Sequence, residues 1–161
     1  MIQICKARPE DSEAIWAIFH AVVAKGDTYA FGPETSRADF PGLWLGSQMH
    51  TFVAESEGQL LGSFFIKPNQ PGLGDHIANA AYMVHPDAQG RGIGKAMCLH
   101  SLEEARRLGF KAMQFNLVVS TNTTAVQLWQ KLGFAIVGTI PEAFRHRQLG
   151  FVAAYVMHRK L

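Results

Sequence analysis

The sequence predicts a single α/β domain built on a mixed, mostly antiparallel sheet that is flanked by helices. Its 161 residues, 48% of them hydrophobic, are enough to enclose one core. Segments with strand-like alternation and segments with helical spacing of apolar residues follow one another along the chain. Neither an internal repeat nor a linker interrupts this succession. We therefore assign residues 1–161 to one domain.

The first half of the chain predicts a strand and a helix, followed by antiparallel strands. Residues 2–6 alternate as in a strand, and residues 9–24 space their apolar side chains as in a helix. Residues 26–46 contain Gly, Pro and several aromatics, so we expect a long, partly helical excursion. Two β-rich runs in residues 51–68 surround a Ser-Glu-Gly turn typical of a hairpin. A further strand is predicted over residues 76–84.

The second half predicts a helix, a strand, a second helix and two closing strands. Each helix has one apolar face and ends at a glycine, as helices commonly do. The predicted helical segments are 93–108 and 120–133, and the predicted strands are 111–119, 134–140 and 150–158. A polar, basic connection, residues 141–149, separates the last two strands.

Charge and cysteine content exclude several classes of protein. The net charge of +2 is too balanced to indicate a nucleic-acid partner. Cys5 and Cys98 lie in a predicted strand and a predicted helix, without the spacing of a zinc site or a disulfide framework. No apolar run reaches the ~20 residues of a membrane span, and no signal-peptide core precedes the first helix. We expect a cytoplasmic protein without a metal site or a membrane partner.

A glycine-rich stretch, "QGRGIGK", lies between a predicted strand and a predicted helix. Such a loop offers unpaired backbone N–H groups to an anion. The dinucleotide fingerprint fails because Lys95 takes the place of its third glycine, and the P-loop fails because Gln89 and Ala96 replace required residues. The pattern that remains is Q-x-x-G-x-G, formed by Gln89, Gly92 and Gly94. A turn that merely reverses the chain would also use these glycines.

This pattern resembles the acyl-CoA loop of the GNAT N-acetyltransferase superfamily. The segment "NTTAVQLWQKLGF", residues 122–134, is similar to the second cofactor-side motif of that family, and the order of elements agrees over essentially the whole chain. The resemblance implies a sheet splayed at its two central strands and acetyl-CoA as the cofactor. It also implies direct acetyl transfer to an amine in a ternary complex. A homodimer is the assembly that we keep open.

The resemblance also implies which residues hold coenzyme A. Gln89 precedes the backbone N–H groups that would bind the pyrophosphate, which belong to Gly90, Arg91, Gly92, Ile93, Gly94 and Lys95. Met83 and Val84 would lie beside the pantetheine arm. Asn122 would hydrogen-bond the cofactor, cap the following helix, or do both. Trp129 would pack on the pantetheine or fill the core.

Acetyl transfer to an amine also needs a group that accepts the proton of the amine and a group that can protonate the leaving thiolate. Members of the family often carry an acidic residue on the strand before the loop, and this strand has none. His76 as a base and Asn79 as the holder of a relay water are the nearest substitutes. The alternatives are a surface histidine and a buried amide. Trp129 occupies the place of the family's usual acidic Tyr, and because an indole N–H is no acid, Tyr82 and Tyr155 are the alternatives.

Two segments are predicted to face the acceptor amine. Tyr29 and Phe31 belong to the excursion, and Arg145 and His146 belong to the basic connection. An Arg/His pair suits a carboxylate on a small amine, such as an amino acid, although a solvated turn would have the same composition. We expect a small, carboxylate-bearing acceptor. The alternatives are acetylation of a protein Lys or N-terminus, and a coenzyme A sensor without turnover.

Overall fold

A computed structural model describes all residues, 1–161, and contains one seven-stranded sheet with the strand order β1-β2-β3-β4-β5-β7-β6. The strands are β1 (Gln3–Lys6), β2 (His50–Ser56), β3 (Gln59–Pro68), β4 (Ile77–Val84), β5 (Ala112–Val119), β6 (Ala135–His146) and β7 (Gly150–Lys160). The helices are α1 (Ser12–Ala24), α2 (Phe40–Trp44), α3 (Ile93–Arg107) and α4 (Thr123–Lys131). Every neighbouring pair is antiparallel except β4 and β5. The predicted fold class is confirmed.

The sheet separates two apolar clusters. Strand alternation places Ala80 and Tyr82 against the cluster that contains the buried face of α3, and places Ala81 and Met83 against the cluster of α1 and α2. Each helix covers one face because its apolar residues recur at helical spacing. Strand β4 is therefore buried on both faces, and only its edges can offer backbone groups to a ligand.

The two central strands separate soon after they pair. Parallel pairing of β4 with β5 is confined to Ile77–Asn79 and Ala112–Gln114. Strand β5 is also irregular between Phe115 and Val118, where its register with β7 shifts. From Ala80 onward, the edge of β4 that faces β5 has no strand partner. The splayed sheet implied by the resemblance is thus present.

The last hairpin differs from the sequence-based prediction. Strand β6 continues to His146, so most of the segment expected to be a connection is strand, and the turn spans only residues 147–149. A register shift between Ile140 and Phe144, with Glu142 at φ 51°, marks a bulge that accommodates the polar residues. Pro141 is tolerated because β6 is an edge strand.

Side-chain contacts also fasten the excursion to α1. Arg37 donates from Nε to the Glu13 carboxylate over 3.0 Å and from Nη2 to the Ser12 hydroxyl over 2.9 Å. Its guanidinium lies 5.4 Å from the centre of the Phe40 ring.

None of the helices is both long and apolar enough to span a bilayer. No three His, Cys, Asp or Glu side chains gather into a group that could hold a metal ion.

Candidate active site

One cleft of about 1040 Å³ runs along the gap between β4 and β5. Its lining includes the loop before α3 and the start of α4 at one end, and the segment after α1 together with the end of β6 at the other. Clefts that hold drug-sized ligands commonly measure about 300–1,000 Å³, so this one has room for an elongated molecule. The cleft connects the two regions that the sequence assigns to cofactor and acceptor.

The glycine loop forms the first end of the cleft. Gly90 and Gly92 each have φ near +78°, a conformation that side chains rarely adopt. A Cβ at either position would meet no atom within 4 Å, so space lies open above the backbone. Gly92 is the N-cap of the 15-residue α3, whose first N–H groups have no partner within the helix. This is a cradle suited to phosphate.

Most of the residues assigned to the cofactor line the cleft. They are Met83, Val84, Gln89, Gly90, Gly92, Ile93, Gly94, Lys95, Asn122 and Trp129. Arg91 does not line the cleft, and its side chain is exposed. Its charge therefore acts from outside the cleft, whereas Lys95 lies at the wall.

Asn122 and Trp129 have structural partners in addition to their place at the cleft. The Asn122 Oδ1 accepts a hydrogen bond from the Ala125 N–H over 3.3 Å and caps α4. Its Nδ2 and the second lone pair of its Oδ1 remain available to a ligand. Trp129 is 9% exposed, and its ring lies 5.1 Å from Tyr82 and 5.2 Å from Phe115 between ring centres. Both roles predicted for each residue are compatible with these contacts.

The structure does not bring the Tyr82 hydroxyl to the cleft. This hydroxyl lies in the core beneath α3, 2.7 Å from the Ser101 hydroxyl, and burial raises the pKa of Tyr82 well above its usual range. The backbone of Tyr82 does reach the gap, where its N–H donates to the Tyr29 hydroxyl over 2.9 Å. The phenol of Tyr82 is therefore in no position to act on a ligand in the cleft.

His76 and Asn79 occupy different environments. His76 is exposed just before β4, outside the cleft, and its carbonyl accepts from the Lys111 N–H over 2.9 Å. Asn79 lines the cleft where β4 and β5 separate, and its Nδ2 donates to the Gln114 carbonyl over 3.0 Å. This bond fixes the orientation of the amide, and no protein group donates a hydrogen bond to its Oδ1. Asn79 is the better placed of the two for contact with an acceptor amine.

The predicted acceptor residues are only partly brought together. Tyr29, Phe31 and His146 line the cleft, whereas Arg145, one position before His146 on β6, does not. The His146 Nδ1 accepts from the Gln148 N–H over 3.1 Å and from the Leu149 N–H over 3.2 Å. A neutral imidazole arranged in this way carries its proton on Nε2. His146 is therefore a hydrogen-bond donor at this end of the cleft.

The turn after β6 holds the segment that follows α1. The backbone N–H of Arg147 donates to the Gly26 carbonyl over 3.0 Å, and its Nη1 donates to the Ala24 carbonyl over 3.0 Å. Gly26 has φ +64°, and a Cβ there would lie 3.0 Å from the Cβ of Arg147. These contacts place Tyr29 and His146 at the same end of the cleft.

Sequence reasoning missed several polar residues of the cleft. Lys25, Asp27, Lys67, Asn116 and Lys131 are among those that line it. Lys67 on β3 pairs with Asn79 on β4, so their side chains share one face of the sheet, and its Nζ lies 5.6 Å from the centre of the Phe65 ring. The alternation of residues along the predicted hairpin indicates on which face of the sheet the Lys67 side chain lies. Its pairing with Asn79 depends on the register of the two strands, which the sequence does not display.

Comparison with known proteins identifies the family. The model described as "Acetyltransferase (GNAT) family" matches residues 14–134. The chain belongs to this family. The resemblance predicted from the glycine loop is thereby confirmed, as is the acetyl-CoA cofactor that it implied.

Individual relatives agree with this assignment. A GCN5-related N-acetyltransferase structure from Kribbella flavida is similar at a TM-score of 0.94 and 46% identity, covering 99% of this chain and 98% of that one. N-acetyltransferase aca1 of Schizosaccharomyces pombe is 43% identical over 98 residues, 60% of this chain and 47% of that protein. L-amino acid N-acyltransferase MnaT of Escherichia coli is 29% identical over 143 residues, 84% and 81% of the two chains. The chain spans less than half the length of several curated relatives that it matches.

The residues present fit acetyl-CoA. The open space above Gly90 and Gly92 accepts a phosphate group, because no Cβ and no neighbouring atom fills it. The edge of β4 beyond Asn79 faces the gap without a strand partner. An elongated cofactor that carries phosphates at one end and amide groups along its length matches both features.

Proposed function

We propose that the protein transfers an acetyl group from acetyl-CoA to the amine of a small, carboxylate-bearing metabolite. The observation that carries the proposal is the single cleft, which joins a phosphate cradle to a chamber lined by polar side chains. Family membership supports the acetyl donor. The similarity to MnaT, an L-amino acid N-acyltransferase by name, supports the class of acceptor.

Each end of the cleft has its own task. The backbone N–H groups of residues 90–95 bind the pyrophosphate, and the free edge of β4 beside Met83 and Val84 pairs with the pantetheine arm. When bound, the cofactor supplies an acetyl group activated as a thioester. Cys98 takes no covalent part, because it is fully buried and does not line the cleft, and burial also raises the pKa of its thiol to about 11. The shared cleft supports direct transfer between the two bound substrates. The amine nitrogen then bonds to the acetyl carbon as the carbon–sulfur bond breaks, and the thiolate leaves as the conjugate base of a thiol of ordinary pKa about 8.5.

The amine must lose a proton before it attacks, since an ordinary amine has a pKa near ~10. Asn79 is the polar group at the point where the strands separate, and its Oδ1 can accept a hydrogen bond from the amine or from a water. An amide takes up no proton, so the proton leaves through water at the open mouth of the cleft. Asp27, the only carboxylate that lines the cleft, is exposed and can receive it there.

The charge of the cleft favours an anionic acceptor. Four lysines line it, against the single carboxylate of Asp27. Lys95 and Lys131 lie on the cofactor side, whereas Lys25 and Lys67 lie on the acceptor side. Lys67 and the Nε2–H of His146 are the donors that would bind a carboxylate. A groove for a basic peptide would instead need acidic side chains.

The test is release of coenzyme A thiol across matched acceptors. Each L-amino acid is assayed beside its carboxamide, which keeps the amine and lacks the charge, and beside a lysine-containing peptide. We expect kcat/KM for the acid to exceed that for the carboxamide by about 10-fold or more. Faster turnover of the peptide would overturn the proposal in favour of a protein acetyltransferase.

The absence of a carboxylate on β4 favours a second candidate, a coenzyme A sensor without turnover. Thermal unfolding and thiol release together separate the two: acetyl-CoA at ~100 times its Kd should stabilise the protein by about 2.7 kcal/mol in either case, so the release of thiol decides between them. Stabilisation without thiol release from any acceptor would support the sensor. Stabilisation together with release would exclude it.

A further inference from the structure

The Tyr29 hydroxyl occupies the open edge of β4. It accepts a hydrogen bond from the Tyr82 N–H over 2.9 Å and donates to the carbonyl of the same residue. Tyr82 lies three residues past Asn79, where pairing with β5 ends. Its N–H and carbonyl therefore point into the gap between the strands. One phenol group satisfies both backbone groups that a missing strand, or a ligand, would otherwise pair with.

The backbone of Tyr29 shows that this contact is maintained against local preference. Tyr29 has φ +63°, in the left-handed region that a bulky aromatic residue rarely occupies. Its ring stacks on Phe31 with 6.2 Å between ring centres and lies edge-on to Trp44 at 6.3 Å. Burial raises the pKa of the hydroxyl, so the phenol is neutral and both donates and accepts.

The cleft lies on both sides of this contact. Val84 and the glycine loop line it in one direction, and Phe31 and His146 line it in the other. A molecule that pairs with the edge of β4 and extends toward the acceptor end must therefore replace the phenol at Tyr82. The Tyr82 N–H and carbonyl cannot form full hydrogen bonds with the Tyr29 hydroxyl and with a ligand at the same time.

We propose that the Tyr29 hydroxyl is an internal plug, which closes the edge of β4 in the free protein and is displaced when acetyl-CoA binds. This inference rests on acetyl-CoA being the ligand of the cleft. Because the Tyr29 ring stacks on Phe31, its displacement also changes the wall of the acceptor chamber. Binding of the cofactor therefore also reshapes the acceptor end of the cleft.

The first experiment compares Tyr29→Phe with Tyr155→Phe. Tyr155, the other predicted alternative for the acid, packs against the core cluster of α3 and does not line the cleft, so its hydroxyl is in no position to act on the cofactor. Without the plug, the Tyr82 N–H and carbonyl lose their protein partner in the free protein, and a ligand that pairs with them no longer has to displace the phenol. We expect Tyr29→Phe to bind acetyl-CoA about three- to tenfold more tightly by calorimetry. Tyr155→Phe should bind as the wild type does.

Amide hydrogen exchange at Tyr82 supplies a readout independent of affinity. In free Tyr29→Phe this amide should exchange at least about tenfold faster than in the wild type, and acetyl-CoA should restore its protection. Equal or weaker binding by Tyr29→Phe, or unchanged exchange, would overturn the plug. Failure of the wild type itself to bind acetyl-CoA would instead overturn the proposed function.

A measurement on the wild type tests the proposal even if the Tyr29→Phe variant does not fold. Ring-labelled tyrosine gives three NMR signals, one for each tyrosine of the chain. Addition of acetyl-CoA should shift the Tyr29 signal as its hydroxyl leaves the backbone of Tyr82, with a smaller change at Tyr155. A Tyr29 signal that stays unchanged at saturating acetyl-CoA would show that the plug remains in place and would reject the inference.

Discussion

The two ends of the cleft are constructed in different ways. The end proposed to bind the cofactor consists of backbone groups of one short segment, residues 83–95, and the N-terminus of α4. The end proposed to bind the acceptor consists of side chains from several elements, among them Tyr29, Lys67 and His146. Backbone groups survive most substitutions, whereas a chamber of side chains changes with each one. The same fold can therefore keep its acetyl donor while its acceptor diverges.

The largest effect is expected in the glycine loop. Gly92→Glu would place a carboxylate in the phosphate cradle, and a like charge there costs several kcal/mol. We expect acetyl-CoA affinity, measured by calorimetry, to fall about 100-fold or more. Gly109→Glu is the matched control, because Gly109 has φ +90° and open space around it but lies at the far end of α3. Retained binding by Gly92→Glu would show that the cradle lies elsewhere.

The acceptor end should respond next, and without loss of the cofactor. Lys67→Ala removes the cation opposite Asn79, so kcat/KM for a carboxylate-bearing acceptor should fall about 10- to 100-fold. The Kd for acetyl-CoA should stay unchanged. Lys67→Arg should recover part of the activity, and Lys111→Ala, outside the cleft, should have no effect. An equal loss with the carboxamide acceptor would argue against a contact with the carboxylate.

A smaller effect is expected where the two ends meet. Asn79→Ala removes the fixed amide at the splay point, and we expect kcat to fall about tenfold with little change in cofactor affinity. His76→Ala should leave kcat and its pH profile unchanged, because His76 lies outside the cleft. A shifted pH profile in His76→Ala would return the histidine to the role of base. The measurement is the rate of thiol release between pH 6 and pH 9, a range chosen around the ordinary pKa of histidine of about 6.5.

Stability tests whether Asn122 belongs to the scaffold as well as to the cofactor end. Asn122→Ala removes the cap of α4 and should lower the free energy of unfolding by about 1 kcal/mol in urea titrations. Asn122→Ser keeps a capping oxygen and should lose less. If Asn122→Ser binds acetyl-CoA as the wild type does, the contribution of this residue is the cap alone.

The smallest effect concerns the contact between Arg37 and Glu13. The hydrogen bond from Arg37 lowers the pKa of Glu13, although both groups are exposed. A lowered pKa gives stability that is present above the ordinary pKa of a glutamate and is lost as the pH falls through the lowered value. The difference in Tm between wild type and Arg37→Met should therefore shrink in acid. A constant difference would assign the effect to the contact of Arg37 with Phe40.

Features that depend on a local pattern could be predicted from the sequence, whereas contacts between distant segments could not. The order of elements, the glycine loop and the cap at Asn122 follow from local patterns, and the structure contains all of them. The place of Lys67 in the cleft is not evident from the sequence, because it depends on the pairing of Lys67 with Asn79 across two strands. The length of β6 was underestimated because a bulge carries the strand through polar residues. The Tyr29 contact joins residues 53 positions apart and has no local signature.

The tie between Arg147 and the segment after α1 bears on how this chain can be re-engineered. The two segments are 123 positions apart at the bond from the Arg147 side chain to the Ala24 carbonyl, and a backbone hydrogen bond from Arg147 to Gly26 also joins them. A side chain at Gly26 would crowd Arg147. Neither segment can be replaced from a relative without disturbing the other. A chimera that exchanges residues 24–31 and 145–150 as one cassette should keep the fold, whereas a graft of either piece alone should bring incompatible loops together. These two segments of the acceptor end therefore have to be exchanged together.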